Sequence, residues 1–223
     1  MKAGNATYNF ANELPDTISV FPLTGGLLLP GGQLPLNIFE LRYIEMINTA
    51  LAGNKLIGMI QPCLETKHNN HEPPLLSKVG CIGRLTTYQE TGDGRYHISL
   101  SGVCRFKVIE ELSVNTNYRQ CKIEIHEEDL DEMTQGDDID REEIILAFKN
   151  YLEANNMNAD WETVENSETE ALVTALCMMS PYNAAEKQAL LEAPTLKDRC
   201  DTLIAISESH LAKRKGDTYG NLQ

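Results

Sequence analysis

The residues whose spacing could support chemistry here are histidines, cysteines and paired glycines, and none completes a reactive pattern. Zinc hydrolases set two imidazoles four residues apart around a glutamate, H-E-x-x-H, so that both rings meet one metal. His71-Glu72 and His126-Glu127 begin that pattern, but Leu75 and Leu130 occupy the closing positions and have no lone pair to offer. Cys63, His68 and His71 supply three ligands within PCLETKHNNHEPP, with no fourth in view, and the segment reads as a polar surface loop. The run HEEDLDEMTQGDDIDREE, His126 to Glu143, holds ten carboxylates and one arginine. It lacks the alternating acidic order and internal glycine of a calcium loop, so it reads as a hydrated linker entering a helix. No metal and no cofactor is expected.

The glycine pairs in FPLTGGLLLPGGQLPLNIFELRYIEMI, Phe21 to Ile47, invite a phosphate loop. That loop needs a Gly-Lys step so that backbone amides and an ammonium meet the phosphates together, and the dipeptide occurs nowhere in the chain. Thr24-Gly25-Gly26 and Pro30-Gly31-Gly32 are instead expected to bend the chain between short strands at positive φ. The serine elbow G-x-S-x-G and the pair S-x-x-K are absent as well. An enzyme is not the expected reading.

The elements that would carry any site follow from periodicity. From Ile18 to Ile125 the pattern has period two, with strands expected at Ile18–Leu23, Leu34–Asn37, Leu56–Gln61, Val79–Glu90, Arg95–Leu100, Val103–Leu112 and Cys121–Ile125. Thr91-Gly92-Asp93-Gly94 separates two alternating runs and predicts a hairpin. Strands at this density suggest a small, largely antiparallel barrel. One helix interrupts it, with Leu41, Ile44, Ile47 and Leu51 on its apolar face and Gly53 as its stop. Asn37 with Glu40 has the spacing of a capping box, repeated at Ser167 with Glu170 and at Asn183 with Glu186.

Beyond the acidic run the pattern turns helical. Ile144, Ile145, Phe148, Tyr151 and Leu152 form one stripe, Leu172, Val173, Leu176 and Met179 a second, and Leu196, Cys200, Leu203, Ile204 and Leu211 a third. Pro181 and Pro194 end helices, and four helices joined by short connections make a bundle in which Met178 and Met179 are expected as core filler. The organisation is therefore residues 1–17 as a tail, 18–125 as the β-rich part, 126–139 as the acidic linker, 140–213 as the bundle and 214–223 as a second tail.

Charge follows that division. Residues 1–125 hold 11 basic and 11 acidic side chains, and residues 126–223 hold 8 and 22, so the net −14 lies in the second part. Such a field repels phosphate, which argues against DNA, RNA and anionic membrane as partners. Lys213-Arg214-Lys215 reads as a solvated helix end. No apolar run approaches the roughly 20 residues that span a bilayer, and the polar start has no apolar signal core, which places the chain in the cytoplasm. The six cysteines contain no C-x-x-C pair and are expected to be reduced core residues.

FPLTGGLLLPGGQLPLNIFELRYIEMINTAL resembles the start of the amino-terminal, substrate-binding domain of the ATP-dependent protease Lon. The shared features are a strand ending in F-P-L, a P-G turn, L-P-L, and F-E-x-R-Y opening a helix. Ile57–Gln61, the VGCIGR of Val79–Arg84, the GVCRF of Gly102–Phe106 and SPYNAAEKQALLEAPTLKDRCDTLI, Ser180–Ile204, continue the similarity in order. The resemblance implies an α+β fold, a PUA-like, mostly antiparallel β pseudobarrel with one inserted helix followed by an α-helical bundle. It also implies a stand-alone member of that domain family, which recognises extended or unfolded polypeptide without cleaving it. Gly25-Gly26 departs from the charged pair usual in that first turn.

A barrel followed by a bundle should leave a cleft, and Leu28, Pro30, Phe39, Arg42 and Tyr43 are the candidate peptide contacts. The competing expectation is an acidic adaptor that docks on a protease, ATPase or other protein through its helical part. A hydrolase built on Cys63, His68 and His71, and RNA binding by analogy with related barrels, are the remaining alternatives.

Overall fold

The computed structural model describes residues 1–63, 74–131, 139–155, 157 and 160–220. The described residues form eight strands, β1 (Lys2–Ala3), β2 (Ala6–Thr7), β3 (Thr17–Pro22), β4 (Gln33–Ile38), β5 (Leu56–Pro62), β6 (Leu76–Glu90), β7 (Tyr96–Leu112) and β8 (Gln120–Ile125), of which the period-two segments supply β3 to β8. The last six form one sheet in the order β4-β7-β6-β5-β3-β8, and a further pairing of β7 with β8 closes it. Closure is possible because β7 is 17 residues long. Its first part pairs with β4, from Tyr96 opposite Ile38 to Ser101 opposite Gln33, and its last part with β8, from Phe106 opposite Ile125 to Leu112 opposite Gln120. All pairings are antiparallel except β3 with β5. A parallel neighbour requires a crossover, and β4 with α1 (Leu41–Ala52) lies between β3 and β5 in the chain.

The two strands expected at Arg95–Leu100 and Val103–Leu112 are one. Gly102 lies where they join, and a Cβ there would stand 1.9 Å from the Leu29 carbonyl oxygen. The backbone of the Leu29–Gly32 turn therefore passes against a position with no side chain. Gly31 in that turn has φ +73° and Gly25 in the preceding one +71°, as bends of this type require. At the Thr91–Gly94 hairpin, Gly92 and Gly94 also take positive φ, and the Thr91 N–H donates to the Arg95 carbonyl at 3.1 Å.

Val20, Ile82, Val103, Cys104, Phe106 and Cys121 meet in the barrel core, together with Ala3, Tyr8 and Leu14. Residues 1–17 are thus not the tail expected from the sequence. The β1–β2 hairpin is held by Arg84, whose Nη1 donates to the Tyr8 hydroxyl at 3.1 Å. Ala3, Tyr8 and Leu14 are spaced without a period, which is why no pattern announced their burial.

Residues 1–134 and 182–191 form one compact unit, and 135–181 with 192–223 form the other. This corrects the expected boundaries twice. First, Glu127–Leu130 inside the expected linker is a 3-10 turn whose Asp129 and Leu130 are buried. Asp129 accepts from Arg105 Nη2 at 2.7 Å, from Nε at 2.9 Å and from the Arg105 backbone N–H at 2.7 Å. Second, most of α5 (Ala184–Glu192) belongs with the barrel. Gln61 Nε2 donates to the Ala184 carbonyl and Gln188 Oε1, Gln188 Nε2 to the Val79 carbonyl, and Lys187 Nζ to the Gly25 carbonyl. These are specific polar bonds that hydrophobic periodicity does not register.

The second unit contains α2 (Arg141–Ala154), α3 (Trp161–Asn166), α4 (Thr169–Met179) and α6 (Leu196–Gly220). Ile144, Phe148, Tyr151 and Leu152 of α2 are buried, as are Leu172, Val173 and Leu176 of α4. The Tyr151 ring meets the edge of His210 on α6 at 5.8 Å. Met179, expected as core filler, is 83% exposed because it ends α4. Helix α6 continues through Gly220, past the expected end at residue 213.

The three expected capping boxes have different fates. Asn183 Oδ1 accepts from the Glu186 N–H at 3.0 Å, and Glu186 Oε2 accepts from the Asn183 N–H at 2.9 Å. Asn37 does not cap, because it remains extended in β4 opposite His97 and the helix starts only after Glu40. Glu40 makes no side-chain cap bond and instead accepts from Arg42. Ser167 turns its hydroxyl back to the Val164 carbonyl at the end of α3, leaving Glu168 as the residue before α4.

Burial also sets cysteine reactivity. Cys81, Cys104, Cys121, Cys177 and Cys200 are buried and Cys63 is partly open, all as free thiols. Burial pushes Cys104 and Cys177 up to about 12 and Cys121 and Cys200 up to about 11, so almost no thiolate forms near neutrality. Alkylation of the folded protein with iodoacetamide is expected to add one adduct, at Cys63, whereas denaturant exposes all six. Peptide mass mapping that finds Cys104 or Cys177 labelled before Cys63 would contradict this burial pattern.

Candidate binding surface

Helix α1 carries more apolar residues than one face can bury. The sheet selects Tyr43, Met46, Ile47 and Ala50 for the interior, one step around from the expected face of Leu41, Ile44, Ile47 and Leu51. Ile47 belongs to both stripes, so periodicity alone could not choose between them. Leu41 is left 84% exposed, and Phe39, in the link from β4 to α1, is 62% exposed. Beside them runs an open depression of about 660 Å³ lined by Leu41, Ile44, Glu45, Asn48, Thr49 and Ala52.

The polar groups around this stripe are held in place. Arg42 donates to Glu40 at 2.6 Å, and its guanidinium lies 4.6 Å from the centre of the Tyr43 ring. Both partners of that pair are about half exposed, so the contact orients Arg42 more than it stabilises the fold. Glu45 accepts from Asn117 Nδ2 at 2.6 Å, and Asn48 accepts from the Tyr96 hydroxyl at 3.1 Å. Burial pushes the Tyr43 hydroxyl up, so the phenol is neutral.

The five residues expected to contact peptide divide into two groups. Leu28, Pro30 and Tyr43 are buried. Leu28 packs against Gly83, and the Tyr43 ring lies 4.3 Å from that of Phe21, so these buried side chains offer little surface to a ligand. Phe39 and Arg42 face solvent. Leu41 joins them and Ile44 is half-buried beside it; sequence reasoning assigned both to the core, although the surplus of apolar residues on one short helix was the available signal. This surface pairs an apolar stripe with oriented hydrogen-bonding groups and contains no nucleophile–base pair.

Among the described residues no three His, Cys, Asp or Glu side chains come together as a metal site. His68 and His71 lie outside those residues. No described helix is long and apolar enough to cross a membrane.

The family model for the ATP-dependent protease La (LON) substrate-binding domain matches residues 17–207. The Lon protease of Parabacteroides distasonis is 30% identical over 206 residues, covering 87% of this chain and 24% of the relative. That of Dictyoglomus thermophilum is 25% identical over 201 residues, covering 86% and 24%. The chain thus spans about a quarter of the length of these curated relatives. A Lon N-terminal domain protein from Xanthomonas campestris superposes with a TM-score of 0.60 at 20% identity, covering 85% of this chain and 97% of that one. The N-terminal domain of the Mycobacterium avium complex Lon protease gives 0.58 at 17% identity, covering 87% and 99%. At these identities the structural likeness speaks for the fold.

Proposed function

Since the chain belongs to the ATP-dependent protease La (LON) substrate-binding domain family, we propose that it binds extended or unfolded polypeptide through the outward stripe of Phe39, Leu41 and Ile44. The observation that carries this reading is the exposure of two large apolar side chains at the head of a helix whose other face is buried. Burying one such side chain against a client contributes about 1.5–3 kcal/mol. Arg42, Glu45 and Asn48 offer donors and acceptors at the rim for main-chain groups of an extended segment, as recognition of unstructured chains requires. The role is retention of a chain, with no bond made or broken at this surface.

The test is fluorescence anisotropy with a labelled, reduced and carboxymethylated protein that cannot refold. The double variant Phe39→Ala, Leu41→Ala should hold this probe at least about tenfold more weakly, the equivalent of about 1.4 kcal/mol. Its melting temperature should change little, because both side chains already face water. Affinity equal to that of the unaltered chain would move client binding away from α1.

A further inference from the structure

We propose that the depression beside Phe10 is a second docking point, shaped for a polypeptide segment that places an arginine or lysine next to an apolar side chain. Residues 1–16 lie ahead of the stretch matched by the family model, yet they are built into the barrel through Ala3, Tyr8 and Leu14. Phe10 departs from that burial and is 67% exposed. Its position is fixed. Glu13 Oε2 accepts from the N–H groups of Asn9 at 2.5 Å and Phe10 at 3.0 Å, and a 3-10 turn follows at once. Those two donors hold the Glu13 carboxyl below the usual carboxylate range, so the clamp persists at neutral pH.

The depression, about 610 Å³, is lined by Phe10, Ala11 and Leu130 with Glu127 and Asp131 at its rim. Glu127 is exposed and enters no ion pair among the described residues. A rigid aromatic face beside the open Glu127 carboxylate is the complement of a guanidinium or ammonium, which gains from the ring quadrupole and from a charge-assisted hydrogen bond together. The Met1 ammonium is already engaged by the Tyr8 and Leu130 carbonyls at 2.9 and 3.4 Å, so Glu127 supplies the open charge at this depression and favours a basic polypeptide over phosphate. None of these residues belongs to the α1 surface, so the two sites can fail independently.

The experiment uses the full chain and two fluorescein-labelled peptides, one alternating arginine with leucine and the other alternating glutamate with leucine. The arginine peptide is expected to bind and the glutamate peptide to bind at least tenfold more weakly. Phe10→Ala should weaken the arginine peptide about tenfold with an unchanged melting temperature. Glu127→Gln should weaken it severalfold and flatten its salt dependence. Phe39→Ala with Leu41→Ala should leave it within twofold, while the same double variant reports separately on unfolded client. No binding of the arginine peptide, equal binding of both peptides, or Phe10→Ala within twofold of the unaltered chain would each overturn the proposal.

Discussion

Asp129→Ala is expected to destabilise the barrel unit by about 3–5 kcal/mol, because it leaves the Arg105 guanidinium buried without its counter-charge. The side chains of Arg105 and Asp129 are 4% and 8% exposed, so solvent screens the pair little. Asp129 also takes the Arg105 backbone N–H, and Arg105 Nη1 reaches the Leu191 carbonyl. The Arg105–Asp129 pair therefore ties strand β7, the 3-10 turn at Glu127–Leu130 and the end of α5 together. Burial acts against the charge on Arg105, but the hydrogen bonds and attraction of Asp129 outweigh it and raise its pKa. A variant that removes both charges, Arg105→Met with Asp129→Leu, should recover most of the loss, since a buried pair contributes less than its breaking costs. Urea unfolding followed by circular dichroism measures all three proteins. Asp129→Ala unfolding at the unaltered midpoint would show that the pair does not hold this corner.

Gly102→Ala is expected to cost roughly 3 kcal/mol or more, at the upper end for overpacking, because its Cβ would meet backbone. The new carbon would lie 1.9 Å from the Leu29 carbonyl oxygen and 2.8 Å from its carbon. Retreat is blocked by the two hydrogen bonds that bring the chains together, Gly102 N–H to the Gly32 carbonyl at 2.8 Å and Gly31 N–H to the Gly102 carbonyl at 3.1 Å. Relief of the contact would break both. Gly92→Ala is the matched control. Nothing lies within 4 Å of its added carbon, so only its φ of +78° opposes the substitution, at about 1–2 kcal/mol. Thermal melts should separate the two variants clearly. Equal shifts would mean that the Leu29–Gly32 turn yields and that the close approach is not a constraint.

The amino-acid sequence by itself determined the kind of fold and most of its elements. Alternation along β3 to β8, the Asp-Gly hairpin and the reciprocal pair Asn183 and Glu186 all express forces between residues a few positions apart, and such forces are written in local spacing. Only the tertiary structure decided which stripe of α1 turns inward, that Phe39, Leu41 and Phe10 remain in water, that residues 1–17 enter the core, and that α5 leaves the helical unit for the barrel. The burial of residues 1–17, the seating of α1 and the placement of α5 involve partners 30 or more residues away, such as Arg84 for Tyr8, Tyr96 for Asn48 and Gln61 for Ala184. Burial of an apolar side chain has no preferred direction of its own. The surface that happens to lie across from a helix selects its inner face, and the residues left over become the candidate site.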